Sequence, residues 1–150
     1  MIKKLAVLTR YLLGFDFFVN GVNWWWKILP YPALNDPPDA HTPHFVQAMI
    51  DTGFLFGAIK GVEVIAGLAL LTNRFVPLAL VIAFPVTVAA WAVDVGLLTE
   101  SFRAQVMGWS LLTMNAFLMV AYLDSYRALL HAHATPGREW ATAADRHDSK

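Results

Sequence analysis

Asp16, Lys60 and Glu63 are the residues of this chain best suited to chemistry, because each interrupts a long apolar stretch. An ionisable group at the centre of a bilayer costs about 2.5–3.5 kcal/mol on insertion scales, so those found there mark relays, pathways or binding sites. All three exchange protons, so proton handling is the chemistry they would support. Lys60 and Glu63 are three residues apart, which makes them neighbours on one helical face. Asp16, Asn20, Asn23 and Lys27 fall within about 60° of one another on a helix, one polar stripe on an apolar cylinder. Asp16 and Lys60 both lie near the middle of their stretches and are expected to pair across two helices. Glu63 would sit about one turn away. The bland alternative is that the ion pair fixes helix register and the stripe only hydrogen-bonds between helices.

Further polar groups widen the candidate site. Asn20, Asn23, Trp24, Asp94 and Asn115 are the residues expected to border a bound substrate or quinone. Asp51, Asn23, Asp94, His41 and His44 are expected to line a vestibule at one membrane surface. His41 and His44 are spaced for metal ligation, but they sit among prolines and are read as solvated loop histidines; no metal site is expected. His131 and His133 are read as interfacial or exposed. Gly53, Gly57, Gly61 and Gly67 lie on the same face as Lys60 and Glu63, and small residues there permit close helix packing in lipid.

These side chains need elements to hold them. Four apolar stretches, at about 5–26, 45–71, 75–98 and 102–123, each approach the ~20 residues required to cross the hydrocarbon. They are too long and too continuously apolar for strands, and helices satisfy their own backbone groups in lipid. Residues 27–44 carry five prolines and form a long connection, whereas 73–74 and 99–101 read as tight turns. The expected fold is an all-α, integral membrane four-helix bundle over residues 1–127, with a polar, flexible tail at 128–150. Lys3, Lys4 and Arg10 flank the first span, Arg74 sits in a turn, and Arg127, Arg138, Arg146 and Lys150 follow the last span. The opposite side holds only Lys27 and Arg103. This bias puts both termini in the cytoplasm and the proline-rich loop outside. The tryptophan triplet 24–26 suits an interfacial aromatic belt. The basic, apolar N-terminus has the start of a signal peptide but no small-residue cleavage site, so it is read as a retained span.

Composition supports this reading and removes other classes. Hydrophobic residues make up 57% of the 150 residues and charged ones 15%, against about 25% charged in a soluble domain. The mean hydropathy is +0.50. Zero formal net charge and no basic stripe argue against nucleic acid. The absence of cysteine excludes disulfides, thiolate metal sites and cysteine nucleophiles. There is no phosphate loop, no H-E-x-x-H, no serine nucleophile elbow and no histidine pair placed to hold a haem.

Several stretches resemble the DoxX family of membrane proteins. They are Arg10 to Gly14 with Phe17, Phe18, Asn20 and Gly21; Pro30-Tyr-Pro32; Thr52-Gly53 through Lys60-Gly61-Val-Glu63 to Gly67; and Asn73-Arg74-Phe75-Val76-Pro77-Leu78-Ala79-Leu80 leading to Pro85. The resemblance covers about residues 5–127. The chain departs from the pattern at Asn23, where many members carry lysine or histidine. The resemblance implies a four-helix bundle in the bacterial cytoplasmic (inner) membrane. It also implies a subunit of a quinone-linked oxidoreductase, with no intrinsic cofactor, a quinone as the redox partner and electron carriers on another subunit. Two other readings stand beside it: a structural or assembly subunit of a larger membrane complex, and a carrier of protons or a small solute. The expected partners are the bilayer and other membrane subunits or further copies of the chain.

Overall fold

The computed structural model describes residues 2–29 and 43–130. The proline-rich segment with His41, and the tail from residue 131 with His131 and His133, lie outside the described residues. Among the described residues the fold is entirely helical. α1 spans Ile2–Trp26, α2 His44–Asp51, α3 Leu55–Leu71, α4 Val76–Gly96 and α5 Phe102–Ala121, and a 3-10 helix covers Leu123–Leu130. Three of these helices, α1, α4 and α5, are long and apolar enough to cross a membrane. Their ends fall close to those expected. The chain beyond α5 does not leave the bundle at once, because the 3-10 helix is bound to it. The Tyr126 hydroxyl donates to the Pro77 carbonyl, 2.9 Å away.

The expected span 45–71 is broken. α2 and α3 meet at 94°, so the apolar stretch changes direction instead of running straight. The cause is local. Gly53 takes φ +76°, a left-handed conformation that ends helices cheaply only in glycine. Thr52 serves both neighbours: its hydroxyl donates to the Met49 carbonyl at 2.7 Å and accepts the Leu55 amide at 3.0 Å. α3 alone has 17 residues, about 25 Å of helix, which is short of the ~30 Å hydrocarbon.

The remaining turns are tight, as their sequences suggest. Between α3 and α4, Asn73 and Phe75 adopt φ of 57° and 54°, and the Arg74 amide reaches back to the Ala69 carbonyl at 2.9 Å. Between α4 and α5, Ser101 caps α5 by accepting the Ala104 amide at 3.3 Å. Gln105 then donates to the Asp94 and Val95 carbonyls at 3.3 and 3.2 Å, satisfying acceptors at the end of α4. α4 continues through Pro85, whose ring stands on an exposed face.

The helices associate as two close pairs, α1 with α3 and α4 with α5. At the end where α1 begins, here the lower end, Leu13, Leu70, Leu80 and Leu118 are fully buried with Ala66, Ala79 and Ala83 between them. Large apolar side chains cover the outside, among them Leu8, Leu12, Phe15, Ile65, Leu78 and Ile82. Such a surface suits lipid rather than water.

The close approach of α1 and α3 uses one of the four expected glycines, Gly67. A methyl group at Gly67 would meet the Phe18 nitrogen at 2.6 Å and the Gly14 carbonyl oxygen at 2.8 Å. One at Gly21 would meet Val64 Cγ2 at 2.6 Å and the Lys60 carbonyl oxygen at 2.8 Å. Among the described residues a methyl at Gly61 would meet nothing within 4 Å, and one at Gly57 only the Trp24 indole nitrogen at 3.8 Å; Gly53 lies in the break. Gly67 therefore packs as expected of the row, but its partners are Gly14 and Phe18 of α1, and Gly21 makes the second close approach from the other side. Gly108 plays the same part for α5, where a methyl would lie 2.9 Å from Asp94 Cβ. Gly67→Ala should destabilise the bundle by about 1–3 kcal/mol because backbone, not a flexible side chain, blocks the added methyl. Gly61→Ala should stay within about 0.5 kcal/mol of the parent. Unfolding both variants reversibly in mixed micelles measures the difference, and equal losses would refute this packing.

Candidate functional site

Above the packed lower core, the two helix pairs leave a cavity of about 290 Å³. Phe17 and Leu111 belong both to the core and to the cavity wall, and so form its floor. Val86, Ala90 and Val93 of α4, with Ile59 of α3, give it apolar sides. α2 lies across its upper end and contributes Phe45, Val46 and Met49, with Pro43 just before it. Leu98, Ser101 and Arg103 border the same end. The break at Gly53 thus has a purpose in the architecture: it turns α2 over the cavity mouth.

Lys60 and Glu63 supply the charge on the wall. Nζ of Lys60 donates to both carboxylate oxygens of Glu63, at 2.9 and 2.8 Å. Their side chains are 12% and 9% exposed. The ammonium also sits 5.3 Å from the centre of the Phe56 ring, within range of a cation–π attraction. The direct partner of Lys60 is therefore Glu63 of its own helix, not Asp16. Gly21 meets the Lys60 carbonyl whereas Gly67 meets Gly14 and Phe18, so Asp16 lies opposite Gly67, about two turns below Lys60 and not at its depth. One turn of helix brings Lys60 and Glu63 together without any constraint from a neighbour. Asp16 is held instead by the Asn20 side chain and feels Lys60 at longer range. Asp94 on α4 also lies within the field of Lys60. Three carboxyl groups from three helices thus lie within the field of one ammonium, and one of them, Glu63, is in contact with it.

The other candidates separate into those that reach the cavity and those that support it. Asn20 and Asp94 line the wall. Asn115 does not, but its amide donates to Thr87 Oγ1 at 2.8 Å, and Thr87 does line it. Asn115 is wholly buried, and its own carbonyl oxygen has no hydrogen-bond partner among the described residues. Asn23 works as a structural clasp. It accepts the Leu29 amide at 2.7 Å and donates to the Leu29 carbonyl at 3.0 Å. This closes the upper end of α1 on the chain that leaves it and removes Asn23 from the ligand-facing set. Trp24 packs edge-on against Phe56, with ring centres 4.8 Å apart, and so stands behind the wall. The expected vestibule reduces to Asp94 among the described residues. Asp51 is exposed and accepts from Gln47 at 2.7 Å, and neither Asp51 nor His44 reaches the cavity. Among the described residues no three His, Cys, Asp or Glu side chains come together as a metal site would require.

No family model, curated protein or solved structure matches this chain. What the site can do therefore follows from its geometry.

Three features lie outside the expected site, two of them with little sign in the sequence. Thr87 is an ordinary β-branched residue in an apolar run, and nothing in its neighbours signals the bond to Asn115. Arg103 counts in the sequence only as a topological charge, yet it borders the cavity. Arg10 resembles a flanking charge but is buried at 4% exposure inside α1. Its position on the buried face with Ala6, Leu13 and Phe17 is legible from helical spacing.

The ion pair gives a direct test. Lys60→Met or Glu63→Met alone leaves one buried partner without the other and should cost about 3–5 kcal/mol. The double variant Lys60→Met/Glu63→Met should be more stable than either single change, because both charges leave together. Asp16→Asn should couple to Lys60→Met far more weakly. Double-mutant cycles of unfolding in micelles give all three values, and additive losses at residues 60 and 63 would refute the pair as an energetic unit.

Proposed function

We propose that the chain is a four-span, DoxX-type subunit of the bacterial inner membrane, part of a quinone-linked oxidoreductase, and that its cavity binds the quinone ring. In this reading α3 with α2 forms the second span, both termini are cytoplasmic, and the cavity lies in the outer half of the bilayer. The observation that carries the proposal is a mainly apolar cavity with an ion pair on its wall. Ligand sites for flat, drug-sized molecules are about 300–1,000 Å³, mostly apolar, with a few placed polar groups. The cavity falls at the lower edge of that range.

The polar groups match a quinone head. Two N–H bonds of Lys60 are engaged by Glu63, and an ammonium has three. The third is available to a ring carbonyl. Asp94 and Asn20 line the same space, while the Thr87 hydroxyl there is already committed, donating to the Ala83 carbonyl and accepting from Asn115. Reducing a quinone to a quinol takes up two electrons and two protons. The electrons would come from a partner subunit, since the sequence carries no motif for an electron carrier. Asp94, Glu63 and Lys60 are the groups placed to move protons. A purely structural subunit calls for a filled core, which this cavity does not favour. A solute carrier calls for a polar path, which the walls of Phe17, Ile59, Val86, Ala90 and Val93 do not favour.

Binding of a short-chain quinone to the purified chain, read by equilibrium dialysis in detergent, tests the proposal. Wild type should bind saturably. Ala90→Phe fills the cavity from an otherwise tolerant wall position and should weaken binding by more than about tenfold, a difference of about 1.4 kcal/mol. Absence of saturable binding, or unchanged binding by a folded Ala90→Phe variant, would defeat it.

A further inference from the structure

Arg10 has no role in the cavity. It lies on α1 six residues before Asp16, about 9 Å lower along the helix axis. It is 4% exposed, and its Nε and Nη1 are enclosed without a hydrogen-bond acceptor among the described residues. The guanidinium carbon stands 4.8 Å from the centre of the Tyr11 ring. Asp16, Glu63 and Asp94 all lie within the field of Lys60. A lysine in this position could lose its proton, but arginine stays charged. A buried guanidinium with donors unmet calls for an anion.

The surroundings say which kind. Val7, Leu8, Tyr11 and Leu12 are exposed around Arg10 on the outside of α1. In a membrane these residues touch lipid. Lys3 lies seven residues earlier, on the same helical face and about 10 Å nearer the membrane surface; it and Lys4 are exposed. No acidic residue occurs before Asp16. Basic groups recessed between membrane helices on one side are the general means by which anionic lipid headgroups are held. Arginine suits a phosphate in particular, since its planar fork can donate two bonds at once.

We propose that Arg10 anchors a binding site for the phosphate of an anionic lipid, with Lys3 at its rim. The site rests on the membrane-spanning reading of α1 and is independent of quinone binding. The full chain, delipidated in a neutral detergent, is melted with added phosphatidylglycerol, phosphatidylcholine or inorganic phosphate. Phosphatidylglycerol should raise the Tm of wild type and phosphatidylcholine should not. Arg10→Gln should weaken the apparent affinity for phosphatidylglycerol by about fivefold or more, and Lys3→Gln by up to about fivefold. Stabilisation by inorganic phosphate that Arg10→Gln abolishes would support the same phosphate site with a free oxyanion as its source. An equal response to the two lipids, or an undiminished one in Arg10→Gln, overturns the proposal. If Arg10→Gln does not fold, Arg10→Lys and Lys3→Gln decide instead, and wild-type affinity in both overturns it. Ala90→Phe should keep the full lipid response, which separates this site from the cavity.

Discussion

The contact of α1 with α3 is the constraint on which the rest of the site depends. In lipid no hydrophobic force drives two apolar helices together, so association rests on close packing and interhelical polar contacts. Gly14, Gly21 and Gly67 let the backbones meet, with Gly67 against the Phe18 nitrogen and Gly21 against the Lys60 carbonyl. That second contact sets the position of the turn bearing Lys60. It brings Asp16 within the field of the ammonium and places Glu63 on the cavity wall. A wider spacing of these helices would leave Asp16 without the influence of the ammonium.

The bundle is then asymmetric along its length. Below, leucines and alanines fill the space between the two helix pairs, and the short turn at 72–75 ties α3 to α4. Above, α4 carries Ala89 and Ala90 toward the same interface where bulk would be needed to fill it. Small residues at a helix interface allow close approach only if the helices do approach. Here α4 is drawn against α5 by Gly108, by the two bonds from Gln105 and by the edge-to-face pair of Trp91 and Trp109, with ring centres 5.4 Å apart. The alanines facing α3 are left bordering a void, and α2 folds across its upper end.

Much of this is legible in the sequence, for physical reasons that also mark where legibility ends. Apolar length identifies α1, α4 and α5, because a spanning helix must be about as long as the hydrocarbon is thick. The spacing of Lys60 and Glu63 places them on one face, because helical periodicity is geometry within a single element. Direction is not legible: a count of apolar residues is the same whether 45–71 runs straight or turns by 94°. The signal is Thr52-Gly53, a capping pair that looks like part of a packing row. Partnership between helices is not legible either. Asn23 looks like a membrane polar residue until Leu29 closes on it. Gly14 and Gly21 are sparse beside the regular row on α3, most of which makes no close contact.

Arg10 and Lys60 show how position within one bundle gives like charges different roles. Lys60 is placed above the core, with a carboxylate one turn away and two more within its field. Its charge is answered inside the protein. Arg10 lies beside the packed lower core, where Leu13 and Ala6 share its face and the next carboxylate on α1 is Asp16. Its Nε and Nη1 find no acceptor among the described residues, with the Tyr11 ring beside the guanidinium. Exchanging the two residue types would fail at both sites. An arginine at 60 would bring a wider, planar head into the space beside Phe56. A lysine at 10 would bring a point charge where a fork is needed to grip a tetrahedral oxyanion.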